Sequence, residues 1–271
     1  MTEMIGAHLG TKGPLRPDAP GLTLERAALD ERFDAVARQV WLPRWSLPGN
    51  SSIDQPVLQY PGLNVVVEPE VASVYLPIEG VGVRTLTGDS WAAGLLMRPG
   101  AGVLVVPGDL STRLGEVLEI PDGGSLARRL RRDVPGGSID DARAAFEEWL
   151  EPILERVDDD VRLVNAIADA AEQDASVTKV SDLVERFGVA ERRLQRLIRT
   201  SVGFSPRWLI QRRRLQEAAH RLREDSEARL ADLAADLGYS DQAHFTRDFR
   251  TVIGQTPGAY RVAQAVSRSA P

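Results

Sequence analysis

Residues 195–206 read QRLIRTSVGFSP, and residues 246–257 read TRDFRTVIGQTP. Arg196, Arg199, Thr200, Gly203 and Pro206 recur as Arg247, Arg250, Thr251, Gly254 and Pro257, each at an offset of 51 residues (Arg196 to Arg247). Self-similarity at fixed spacing means one supersecondary unit built twice. In each copy an apolar run, a glycine and an arginine-bearing segment follow in that order. This is the plan of a helix-turn-helix whose second helix carries the charge. Two such units on one chain suit a clamp on double-stranded DNA.

The first unit opens at Lys179. Val180, Leu183, Val184 and Phe187 make its apolar face and Gly188 its turn. The spacing predicts a second helix from about Ala190 to Val202, with Leu194, Leu197, Ile198 and Ser201 on one side and Arg192, Arg196 and Arg199 on the other. In the second unit Leu230, Leu233, Ala234 and Leu237 form the face, Gly238 turns, and Ser240 or Asp241 caps the next helix. There Phe245, Phe249 and Val252 point inward, while Ala243, Arg247 and Arg250 point outward beside Gln242, His244 and Thr246. Such a face enters the major groove, where Arg pairs with guanine, Gln with adenine, and Thr or Ala touches a thymine methyl. A solvated helix face is the competing reading for one arginine-bearing helix, but two equivalent faces make coincidence a poor account.

Between the units, Ser205 and Pro206 start a helix expected to run to Asp225. Twenty residues span about 30 Å, close to the roughly 34 Å between successive major-groove faces. The run Arg212-Arg213-Arg214 on this helix suits either a phosphate contact or a solvated face.

Charge distribution supports the division. From Lys179 to Arg261 there are 16 basic and 11 acidic residues, about +5, in a chain whose formal net charge is −6; the remainder is thus about −11. Only Lys12 and Lys179 are lysines, so Arg carries nearly all the positive charge.

Upstream, residues 1–22 are rich in Gly and Pro and read as loose, and Thr23–Val40 reads as a helix. From Trp41 to about Pro121, short Val/Leu-rich runs separated by Gly, Pro and Asn read as strands: 57–60, 63–68, 73–76, 82–86, 92–97, 102–106 and 115–120. Several strands at such spacing predict a β-sandwich or small barrel. Helices follow at 125–132 and 140–157, the latter bearing the stripe Phe146/Trp149/Leu150/Ile153 and a Pro152 expected to kink or divide it. That stripe suits either pairing of two subunits or packing on the chain's own strands. Asp158, Asp159 and Asp160 read as the acidic start of the next helix rather than as a metal site.

These residues resemble the AraC/XylS family of transcription regulators. GYSDQAHFTRDFRTVIGQTPGAYR (238–261) is very similar to that family's signature, and LVERFGVAERRLQRLIRTSVGFSP (183–206) fits more loosely, with Ala190 where a Ser or Thr cap is usual and Ile198 where Phe is common. The likeness spans about 161–261 and implies a seven-helix DNA-binding domain. By position, Arg192, Gln195 and Arg196 correspond to base-facing places on the first reading helix, and Gln242, Ala243, His244 and Arg247 on the second. Arg199, Thr246 and Arg250 correspond to phosphate contacts. PGLNVVVEP, GVGVRTLTG and GLLMRPGAG more faintly resemble the cupin-like sensory domains found ahead of such modules.

The expected architecture is therefore α+β in two domains: a cupin-like sensor over 1–124, a helical connector over 125–160, and an AraC-type domain over 161–264. The resemblance implies a cytoplasmic regulator, tuned by a small molecule, often dimeric, and acting on RNA polymerase. Activator and repressor stay open, since both use the same DNA-contacting parts.

Enzymatic chemistry is not expected. The histidines are His8, His220 and His244, none in the strand-rich region, so neither a metal-dependent cupin nor a Ser-His-Asp arrangement can be assembled there. Without cysteine there is no thiolate chemistry. Glycine spacing fits neither a P-loop nor a dinucleotide fingerprint. Glu68, Glu70, Glu79, Glu116 and Glu119 read as surface charges. Trp41, Trp45, Trp91 and Tyr75 line either a ligand pocket or the core. No cofactor, secretory signal or membrane span is expected. The rival class is a ligand-binding or enzymatic barrel whose helices mediate protein contacts.

Overall fold

A computed structural model describes residues 19–49, 51–58, 60–225 and 228–262. The expected loose segment falls almost wholly outside them, as does His8. The strands are β1 (Leu22–Ala27), β2 (Ala37–Ser46), β3 (Ser52–Leu58), β4 (Asn64–Val67), β5 (Ala72–Tyr75), β6 (Val81–Thr87), β7 (Asp89–Trp91), β8 (Ala93–Met97) and β9 (Val117–Glu119). The helices are α1 (Gly102–Val105), α2 (Gly124–Asp133), α3 (Ile139–Leu154), α4 (Asp159–Gln173), α5 (Val180–Phe187), α6 (Glu191–Val202), α7 (Pro206–Glu224), α8 (Leu230–Asp236) and α9 (Gln242–Ile253).

The strands form two antiparallel sheets. One runs β1-β2-β8-β4-β5-β9, with β7 also paired to β2, and the other is the β3–β6 ribbon. Strand β8 lies between β2 and β4, and its five residues are all buried. Gly94 sits there beneath the Trp41 ring; a Cβ would fall 2.1 Å from the indole carbons. The tryptophan thus belongs to the packing, and its Nε1 donates to Asn64 Oδ1.

Two expectations fail in this region. Thr23–Val40 is not a helix: Leu22–Ala27 alternates in exposure and pairs with Val40–Trp45 of β2. Period-2 alternation and cross-strand partners decided what sparse apolar residues at near-helical spacing could not. The run 102–106 is not a strand but the buried helical turn α1, entered through Pro99. A short apolar run is ambiguous until its neighbours are known.

The α3 stripe packs within the chain. Phe146, Leu150 and Ile153 are buried in one apolar core with Val40, Leu42, Leu95 and Met97 of the sheet, and Trp149 is half-buried beside them. Pro152 sits two residues before the end of α3, so it neither kinks nor divides a longer helix. Ser138 and Asp141 cap the start of α3 reciprocally. At α4, Asp158 accepts from the Val161 N–H, and Asp160 pairs with Arg193 at 2.8 Å.

Two further apolar cores carry the helical half. Leu183, Leu194, Ile198, Val202, Leu209 and Ile210 belong to one, and Leu215, Ala218, Leu222, Leu233, Phe245 and Phe249 to the other. The long helix α7 contributes to both, its first half to the first and its second half to the second. It is a shared wall, which holds the two units in a fixed relation.

Candidate nucleic-acid interface

Each unit is an α-helix, a left-handed glycine and a second α-helix. The glycines are Gly188 (φ +61°) between α5 and α6 and Gly238 (φ +71°) between α8 and α9. Caps differ as the residues dictate. Asp241 Oδ1 accepts from the His244 N–H at 2.7 Å at the start of α9, whereas Ala190 offers α6 no side-chain cap. The His244 amide hydrogen bond holds the Asp241 carboxyl below its ordinary value. Asp182 likewise accepts from the Thr178 and Lys179 amides at the start of α5, which lowers its pKa.

Both second helices end alike. Gly203 (φ +85°) and Gly254 (φ +86°) donate to the Arg199 and Arg250 carbonyls at 2.9 Å. A left-handed residue at this point stops a helix and satisfies a terminal carbonyl. The repeated glycine also meets the other half of the molecule. A Cβ on Gly203 would lie 2.6 Å from Leu114 Cδ2, and one on Gly254 3.2 Å from Val81 Cγ2. The strand-rich domain therefore touches the C-terminal ends of both α6 and α9.

Of the inward residues, Leu194, Ile198, Ser201, Phe245, Phe249 and Val252 are buried as expected, and Leu197 is half-buried at the edge of its core. Arg192, Gln195, Arg196 and Arg199 are exposed on α6, and Gln242, Ala243, Arg247 and Arg250 on α9, while His244 and Thr246 are half-exposed. An open groove of about 750 Å³ runs along α9, lined by Gln242, Ala243, Thr246, Arg247 and Arg250 among others. Among the described residues none of Arg192, Arg196, Arg247 and Arg250 has a carboxylate within ion-pair distance. Three site residues are engaged within the chain. Gln195 Nε2 donates to Glu191 Oε1 at 2.8 Å, Arg199 Nε donates to Ser111 Oγ at 3.3 Å, and His244 Nε2 lies 3.3 Å from Asp248 Oδ2.

Neither reading of Arg212-Arg213-Arg214 describes it. Arg212 is 3% exposed, 3.7 Å from Glu172 and over the Tyr60 ring at 5.4 Å. Arg213 donates to the Val177 carbonyl at 3.1 Å. Arg214 donates to the Leu237 carbonyl and stacks on Tyr239. Around Glu172 and Asp169 of α4, Arg38 bonds both carboxylates at 2.8 Å, Arg98 pairs with Asp169, and the Tyr60 hydroxyl donates to Glu172 at 3.4 Å. Burial, and then the Glu172 charge, push the Tyr60 hydroxyl above its ordinary range, and burial lowers the Arg212 pKa. This polar cluster joins the strand-rich domain to α4 and α7. Sequence carried no signal for it, because its members come from segments far apart in the chain.

Other expectations resolve simply. Of the glutamates expected as surface charges, Glu68 is instead largely covered and pairs with Arg84, while the more exposed Glu116 pairs with Arg113 at 2.8 Å. His220 lies on α7, 3.3 Å from Glu224.

Residues 183–263 match a family model described as a helix-turn-helix domain. The chain is 28% identical over 199 residues to the transcriptional activator NphR of Rhodococcus sp, covering 72% of this chain and 55% of NphR. It is 36% identical over 84 residues to the HTH-type transcriptional regulator ExsA of Pseudomonas aeruginosa, 31% of this chain and 30% of ExsA. The chain thus spans about half the length of the first of these relatives and about a third of the second. Among solved structures, ToxT from Vibrio cholerae O395 aligns over 89% of this chain and 96% of its own at 11% identity, with a TM-score of 0.39.

Proposed function

We propose that this chain, whose C-terminal domain is a helix-turn-helix domain of the AraC/XylS type, is a sequence-specific DNA-binding transcription regulator. The observation that carries the reading is the duplicated unit: two glycine-terminated helices that each present exposed arginines without carboxylate partners. Arg192, Arg196 and Arg247 are the base readers, with Gln195, Gln242, Ala243 and His244 beside them. Arg199, Thr246 and Arg250 meet phosphate. The 19 residues of α7 give a strut of about 28 Å, on the scale of one duplex turn.

The strand-rich domain is the sensor. Its contacts with Gly203 and Gly254, and the cluster around Glu172, give a bound small molecule a physical route to the reading helices. RNA polymerase and a second copy of the chain are the further partners in this reading. With the α3 stripe buried, a dimer would pair through another surface.

The test is enrichment of sequences from a random duplex library by the full chain, followed by gel shifts on promoter fragments beside its own gene. Wild type is expected to select a recurrent sequence, and Arg196→Ala or Arg247→Ala to broaden it at one position each. Turnover of a small molecule with no duplex affinity would instead favour a ligand-binding or enzymatic protein.

A further inference from the structure

Between the two helix-turn-helix units lies a second cleft, of about 470 Å³, that neither reading helix fills. Lys179 at the start of α5 lines it from the first unit. Arg207, Gln211 and Arg214 line it from α7, and His244 and Asp248 from the second. Lys179 and Arg207 are exposed, and among the described residues neither forms an ion pair. The carboxylate among these six, Asp248, is engaged by Gln211 Nε2 and by His244 Nε2 at 3.3 Å. Arg214 is held against the Leu237 carbonyl. Lys179, which feels the Asp182 carboxylate without pairing with it, and Arg207 are thus the cations left to act on whatever enters the cleft.

Geometry identifies the occupant. When two helices enter successive major-groove segments on one side of a duplex, the stretch between them turns its minor groove and the flanking phosphate strands toward the protein. The feature lying between the readers is this cleft. We propose that Lys179 and Arg207 form a phosphate-binding subsite that seats the backbone between the two major-groove contacts. The subsite sets the register of both reading helices on the duplex and carries no base preference of its own. This rests on the DNA-binding reading above and extends it to residues outside the reading helices.

The test uses the full chain and a duplex enriched from a random library by wild type. Arg207→Gln and Lys179→Gln are each expected to weaken binding roughly 5- to 10-fold near 0.1 M salt and to reduce the salt slope by about 1, on selected and random duplex alike. The preferred sequence should stay that of wild type. Both positions are exposed, so melting temperatures should match wild type, which separates lost contact from lost folding. Neutral methylphosphonates placed midway between the two protected major-groove segments should cost wild type at least as much, cost either single variant less, and cost the Lys179→Gln/Arg207→Gln double variant nothing more.

Wild-type affinity and slope in both variants would overturn the proposal. So would losses from the double variant and the methylphosphonates that simply multiply, or a changed base preference in either single variant. Should the library yield no preferred sequence, base reading fails. A reduced salt slope in Arg207→Gln on random duplex would still uphold the subsite.

Discussion

Two sets of arginines in this molecule live in different surroundings. In and around the strand-rich domain several face carboxylates: Arg38 bonds Asp169 and Glu172, Arg84 pairs with Glu68, Arg98 with Asp169, and Arg129 with Glu148. On α6 and α9, Arg192, Arg196, Arg247 and Arg250 are exposed and, among the described residues, have no carboxylate within ion-pair distance. The same guanidinium is a structural clamp in one place and an available ligand in the other. A buried cation without a partner is costly, whereas an exposed one keeps its water until a phosphate or base replaces it. Side-chain type therefore says little about role until burial and partners are known. Arg212 and Arg196, sixteen positions apart on adjoining helices, make the contrast directly.

The largest expected effect lies on the clamped side. Arg212→Ala removes a buried cation beside Glu172 and should cost roughly 3 kcal/mol of stability, since it opens a space in the buried polar cluster and leaves its carboxylates with one cation fewer; urea unfolding would measure it. A change within experimental error would mean that the cluster does not depend on the Arg212 guanidinium of α7.

On the available side the pattern should reverse. Arg196→Ala and Arg247→Ala should each leave stability within about 0.5 kcal/mol of wild type, yet weaken binding to a selected duplex by roughly 1–3 kcal/mol and relax one base position. Anisotropy titrations beside thermal melts would resolve the two quantities. A variant that lost stability but not affinity would move that arginine to the structural class.

A smaller effect is expected where the halves meet. Gly254 combines φ +86° with a space that a Cβ would share with Val81 Cγ2 at 3.2 Å. Gly254→Ala should therefore destabilise by about 1 kcal/mol. The paired change with Val81→Ala should recover the steric part but not the backbone part. Full recovery would show that the left-handed conformation contributes nothing.

The mildest prediction concerns pH. The Asp241 carboxyl titrates below its ordinary value of 3.8 in the folded chain because it accepts the His244 amide. Its contribution is present above the unfolded-state pKa and is lost as pH falls through the folded-state value. Asp241→Ala should thus lower the melting temperature at pH 7, and the gap from wild type should close progressively below about pH 4. A gap that persisted in acid would assign the loss to something other than the charged cap.

The helical half was the more legible part of the chain because its signals are local. Apolar residues at helical spacing, Asp241 and Ser205 as caps, and glycines at 188, 203, 238 and 254 each act within a few residues, and the 51-residue repeat checked one copy against the other. The strand-rich half was harder. Strands β1 and β2 went unrecognised because a strand is defined by its partner, and the partner of Leu24 is Pro43, nineteen positions on. Helix α1 read as a strand for the same reason: four apolar residues acquire a conformation from what surrounds them.

Sequence alone determined the duplicated unit, the inward and outward faces of α6 and α9, and the place of the long helix between them, because periodicity and caps set these within one or two turns. Only the folded chain decided that the arginine run on α7 is structural and that the α3 stripe faces its own sheet. It also brought Lys179 and Arg207 to one cleft and set the strand-rich domain against the ends of α6 and α9. Each of those outcomes depends on which distant residues share a core, and packing settles that only when the whole chain closes.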